Sequence, residues 1–168
     1  MISIRPYRVD DAPALHEAAL SSAAETQPFM PWCHPGLTLE EMRIWIDAQV
    51  QAFAARKAFE FVILSDGTVF LGGCGLNQID DANRRANLGY WVRSSARGRG
   101  AATSAVRQLV RWGFENTDLI RLEVVVSTRN APSLRVAEKC GAAREGILRK
   151  RLLLHGVLHD AVLFAFVR

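Results

Sequence analysis

Cysteine is scarce in this chain and badly placed for cross-linking. Cys33, Cys74 and Cys140 are an odd set of 3 with no Cys-x-x-Cys pair, so neither a disulfide framework nor a zinc knuckle is expected. Cys33 stands beside His34, but no second ligand pair accompanies them, and no metal is expected. Long apolar runs are also missing: none approaches the roughly 18–20 residues of a membrane-spanning helix. The opening MISIRPYRVDD has no apolar core and no small-residue cleavage site of an export signal. Reduced thiols, a cytoplasmic location and no membrane partner are the expectation. No repeat, low-complexity tract or linker divides the 168 residues, and a single domain over 1–168 is expected.

Charge is present without being concentrated. The net charge is +4 and the isoelectric point about 9.3, a balance that suits an anionic partner. The arginines are spread along the chain, and no stretch interleaves aromatic and basic residues for stacking bases. A nucleic-acid partner is therefore not expected.

Periodicity outlines the elements. ISIRPYR alternates like a strand. Asp10 and Asp11 offer caps for a helix reaching about Ala24, with Pro13 in its first turn. QPFMPWCHPG, Gln27 to Gly36, is rich in proline and reads as a loop. Thr38 and Glu41 make a capping box, and the helix behind them gathers Met42, Trp45, Ile46, Gln49, Val50 and Phe53 on one side. Asp66-Gly67 marks a hairpin within Phe59 to Ile79. A strand over Ala86 to Val92, a helix over Thr103 to Asn116 and a strand over Leu119 to Ser127 follow. Asn130 caps a short helix ending near Gly141, and a last hairpin turns at His155-Gly156. Hairpins around one β-α-β unit define a mixed α/β (α+β) fold.

Between the strand ending at Val92 and the next helix lies ARGRGAATSA, Ala96 to Ala105. A glycine turn that feeds a helix can cradle phosphate on backbone N–H groups; it can equally be a tight connection. No Gly-Lys-Ser/Thr follows, so it is not a Walker loop, and the third glycine and the acidic residue of a dinucleotide fingerprint are missing. Gly98 and Gly100 permit close backbone approach, Ala101 and Ala102 keep the helix mouth open, Arg97 and Arg99 add charge, and Thr103 adds a hydroxyl.

Arg97-x-x-Gly100-x-Ala102 resembles the Gln/Arg-x-x-Gly-x-Gly/Ala pyrophosphate loop of the GNAT superfamily of acetyltransferases. NAPS (Asn130 to Ser133), AEKCGAAREGILR (Ala137 to Arg149), LGYWV before the loop and IRPY at the start are similar to its Rim-type branch, whose members resemble N-terminal acetyltransferases of ribosomal proteins. The resemblance spans nearly the whole chain. It implies a GNAT fold, a mostly antiparallel twisted sheet split by a V-shaped opening and flanked by helices. It implies acetyl-coenzyme A as acetyl donor, with the pyrophosphate on the amides of Arg99 to Thr103, pantetheine along Trp91, Val92 and Arg93, and Asn130 on the cofactor arm. Ser133 matches the general acid that protonates the leaving thiolate.

The chain departs from the pattern at one point: Asn87 stands where many relatives carry a glutamate, and an amide cannot be a base at neutral pH, although it can orient a water. A water relay, Glu123 in the next strand, His34 in the proline-rich loop and Asp160 in the closing strand are the alternatives, Asp160 also as a partner of the acceptor amine. Phe29, Trp32 and Tyr90 are expected to line the acceptor pocket. Tyr7 reads as a packed strand residue, and Trp45 and Trp112 as core. The resemblance implies direct attack by a primary amine in a ternary complex, the amine being a protein or peptide N-terminus. A small amine (aminoglycoside, amino acid or polyamine) and a non-catalytic coenzyme A-binding module are the alternatives. The apolar closing strands permit a homodimer.

Overall fold

The computed structural model describes residues 1–168. Seven strands form one sheet in the order β1-β2-β3-β4-β5-β7-β6. These are β1 (Ile2–Pro6), β2 (Phe59–Ser65), β3 (Val69–Asp80), β4 (Arg85–Val92), β5 (Arg121–Ser127), β6 (Ala143–Leu154) and β7 (Val157–Val167). Every neighbouring pair is antiparallel except β4 with β5. The β2–β3 turn puts Asp66 and Gly67 at φ 50° and 75°, the left-handed pair that matches strand twist in a two-residue hairpin.

Helices cover both faces. On one side α4 (Ala101–Asn116) and α5 (Ala131–Lys139) close a core of Phe61, Leu76, Leu88, Leu109, Leu122 and Phe164. On the other, α1 (Ala12–Leu20) and α3 (Leu39–Ala54) bury Leu15, Met42, Ile46, Val62, Leu64 and Phe70. The alternation of each strand divides its residues between these cores: Phe59, Phe61 and Ile63 face α4, whereas Val62 and Leu64 face α1 and α3.

The predicted elements are present, with three corrections. The first helix stops at Leu20, and the short α2 (Ala23–Thr26) follows. Ser22 between them is fully buried, its Oγ accepting from the Ser94 amide at 3.0 Å, a tie to the segment after β4 that a continuous helix would break. Asp11 does not cap α1 through its side chain; its carboxylate takes the Arg5 guanidinium at 2.6 and 2.7 Å and, capping the short turn of Val9–Asp11, the Arg8 amide at 2.8 Å. Val50 leaves the α3 stripe and is exposed. The Thr38–Glu41 capping box is present in both directions.

Candidate active site

The site exists because two strands part. β4 and β5 pair only from Arg85↔Arg121 to Asn87↔Glu123. Beyond that, β4 stays with β3 as far as Val92↔Gly72, while β5 stays with β7 to Ser127↔Ala161. The wedge between them opens into a cleft of about 420 Å³ lined by Tyr90, Trp91 and Val92 of β4, the loop from Arg97 to Gly100, the first turn of α4, and Asn130 and Ser133 at the start of α5. Phe29 and Met30 also line it.

At the mouth of α4, Gly98 and Gly100 have φ of 73° and 80°. A Cβ at either would meet nothing within 4 Å, so the left-handed backbone, not crowding, calls for glycine here. The first bond of the helix runs from the Ser104 amide to the Gly100 carbonyl at 2.9 Å, and the amides of Gly98 through Thr103 donate to no protein acceptor. A row of free N–H groups at the positive end of a helix dipole binds anions. Arg97 is tied down by a bond from its Nη2 to Thr26 Oγ1 at 3.1 Å; Arg99 is exposed.

At the other wall, Asn130 caps α5, its Oδ1 accepting from the Ser133 amide at 3.3 Å. The Ser133 hydroxyl donates to the Tyr90 oxygen at 3.0 Å, and the Tyr90 hydroxyl donates to the Ser133 carbonyl at 2.9 Å. Burial pushes the Tyr90 phenol up to about 12, the Ser133 bond opposing the shift, so both hydroxyls are neutral at physiological pH.

Tyr90 lines the cleft beside Ser133, together with Phe29. Several other predicted site residues lie elsewhere. The Arg93 amide is spent on the Leu71 carbonyl at 2.7 Å, and its guanidinium reaches Glu17 at 2.6 Å, so it turns away from the wedge. Glu123 sits in an ion-pair cluster, 3.2 Å from Arg85 and 2.7 Å from Arg121. Asp160 accepts the Lys150 amide at 2.8 Å, filling the irregularity where β6 and β7 shift register between Leu148 and Leu152. His34 is half-buried in its loop and lines no part of the cleft. Trp32 packs edge-on against Trp91, ring centroids 5.4 Å apart. Asn87 donates to Asn77 Oδ1 at 2.9 Å, and Asn77 donates to Glu60 Oε1 at 3.0 Å. Glu60 was not legible as a site residue: in FEFV it reads as the outward polar member of an alternating strand.

A split sheet with a free amide row at the helix mouth is a fold of the GNAT type. The chain belongs to that family: the Acetyltransferase (GNAT) domain matches residues 2–143. It is 32% identical over 116 residues to YdaF of Bacillus subtilis (strain 168), a candidate ribosomal N-acetyltransferase. That match covers 69% of this chain and 63% of YdaF, under two thirds of the relative's length. To the Probable N-acetyltransferase YjcK of the same organism it is 31% identical over 173 residues, covering 99% of this chain and 93% of that protein. Among solved structures, Mycobacterium smegmatis RimJ in complex with CoA-disulfide matches with a TM-score of 0.91 at 28% identity, over 99% of this chain and 81% of that one.

Proposed function

We propose that this protein transfers an acetyl group from acetyl-coenzyme A to a primary amine, with a protein or peptide N-terminus as acceptor. The observation that carries the reading is the unpartnered amide row of Gly98 to Thr103, opening on the same cleft as the Ser133–Tyr90 hydroxyl pair. These residues fit the cofactor: the amides and the α4 dipole match a pyrophosphate, and the unpaired edge of β4 at Trp91 and Val92 matches an extended pantetheine arm. Acetyl-coenzyme A supplies a thioester, an acyl group already activated toward amines. Ser133 stands where a hydroxyl can protonate the departing sulfur, and Tyr90 orients it while remaining neutral. The N-terminal acceptor is supported by the likeness to YdaF, named for a ribosomal activity.

The three free thiols support a cytoplasmic setting, and no helix is long and apolar enough to cross a membrane. Exposed Leu153, Val157 and Leu158 on the β6–β7 hairpin support pairing with a second copy of the chain, which light scattering of the purified protein tests.

Thiol release from acetyl-coenzyme A, followed across peptides of different N-termini and a panel of small amines, tests the function. Turnover on peptides is the expected result. Turnover on polyamines or aminoglycosides alone overturns the acceptor, and coenzyme A binding without turnover on any amine overturns the enzyme.

A further inference from the structure

Glu60 is a half-buried carboxylate with no cation facing it; its sole bond is the one from Asn77. It lies on the α1/α3 face of the sheet, in a row where the registers set Glu60 beside Gly75 and Gly75 beside Gly89 of β4. The carboxylate rests on Gly75, because a Cβ there would overlap both of its oxygens. That leaves it one strand spacing, about 4.8 Å, from Gly89. The space above Gly89 is open: a Cβ would meet only Asn87 Nδ2, at 3.9 Å. Next to this space, above Gly73, the Tyr7 hydroxyl and the Trp91 indole nitrogen come within 2.5 and 3.0 Å of an added Cβ. Tyr7 is 6% exposed, yet its hydroxyl has no protein partner. An acceptor, an unpartnered hydroxyl and an indole donor thus converge on a floor of glycines from β3 and β4, and the opposite face of β4 carries Tyr90, which bonds Ser133 of α5.

We propose that the space over Gly89 receives the acceptor's α-ammonium group, that Glu60 takes its proton, and that Tyr7 and the Trp91 indole hold the first carbonyl oxygen of the acceptor peptide. This rests on the acetyltransferase reading. One N–H bond of the ammonium breaks and its proton passes to the Glu60 carboxylate, leaving a lone pair on nitrogen. The bond from nitrogen to the acetyl carbon then forms, and the carbon–sulfur bond breaks with its electron pair going to sulfur. Sulfur takes a proton from the Ser133 hydroxyl, the second proton lost by nitrogen restores that hydroxyl through water, and Glu60 returns its own proton to solvent. The groups that share this environment are few: Tyr7 and Cys74 feel the Glu60 charge, and the Arg5–Asp11 pair stands beyond Tyr7. Burial raises the Glu60 carboxyl above its ordinary value, the Asn77 bond working against the shift, as suits a base that must hold a proton during turnover.

Glu60→Gln keeps the shape and the bond from Asn77. Its kcat on a Ser-starting peptide is expected to fall on the order of 10²-fold at neutral pH, with loss of the acidic limb of the rate profile, while calorimetric affinity for coenzyme A is unchanged. Without any acyl donor, calorimetry should show the peptide binding more weakly to Glu60→Gln, and Tyr7→Phe should raise KM for the peptide but not for a simple alkylamine. Wild-type turnover with an unaltered Glu60→Gln pH profile and peptide affinity overturns the role of Glu60. Equal effects of Tyr7→Phe on both acceptors overturn the carbonyl contact. Absence of turnover by the wild type strikes the proposed function instead, and peptide affinity that Glu60→Gln does not weaken still overturns the subsite.

Discussion

The Ser133 hydroxyl donates to Tyr90 while the Tyr90 hydroxyl donates back to the Ser133 carbonyl, at 3.0 and 2.9 Å, so the start of α5 and the end of β4 hold each other across the cleft. On the proposed function, Ser133→Ala removes the hydroxyl proposed to protonate the leaving sulfur and should lower kcat on the order of 10²-fold with little change in KM for acetyl-coenzyme A. Tyr90→Phe leaves Ser133 in place without its orienting partner and should cost less. The double variant should cost no more than Ser133→Ala alone, because the two act as one unit. Steady-state kinetics of the three variants decide this; a doubly additive loss would separate the two residues.

Gly100 precedes α4 at φ 80° with open space around it. Gly100→Ala should therefore destabilise through backbone conformation alone, by about 1–2 kcal/mol. Turning the loop also misaligns the amide row, so calorimetry should show weaker coenzyme A binding. Gly100→Asn should be milder on both counts, since asparagine tolerates the left-handed region.

Glu60 links pH to stability. Burial raises its folded-state pKa above the unfolded value, so between those two values the folded state binds more protons and stability falls as pH rises. The penalty is absent below the ordinary carboxylate range and complete above the raised value. Glu60→Gln, which carries no charge, should melt higher than wild type at neutral pH, and the difference should vanish on acidification. Thermal melts at several pH values give the answer; a variant that melts lower at neutral pH would show that the carboxylate is stabilising as a charge.

Glu123 joins β4 to β5 through Arg85 and Arg121, and Arg121 also grips Glu145 at 2.8 and 2.5 Å. These groups are partly exposed, so losing the Glu123 charge should cost only about 0.5–1 kcal/mol. The loss should shrink in high salt. Glu123→Gln should leave turnover unchanged; a large fall in kcat would return this residue to the chemistry.

Several local signals were read with success. Asp66-Gly67 made its hairpin, Thr38 and Glu41 their capping box, Asn130 its cap, and the glycines before α4 their left-handed turn, because each depends on a few adjacent residues. The same adjacency made the glycine turn and Ser133 visible as a motif. The surroundings of Arg93, Asp160, Glu123 and Glu60 were not legible because each has a partner in another element of the fold. Arg93 turns to Glu17, 76 residues away in sequence, and Asp160 fills a register shift that exists only once β6 and β7 pair. Glu60 becomes a candidate base only because strand register sets it beside Gly75 and Gly75 beside Gly89, and a one-residue slip would send it to the opposite face. By itself the sequence determined most of the elements, the Thr38 and Asn130 caps and the glycine turn before α4. The tertiary structure decided which side chains share a face of the sheet, since that is settled by pairing between distant segments and not by any residue's neighbours in the chain.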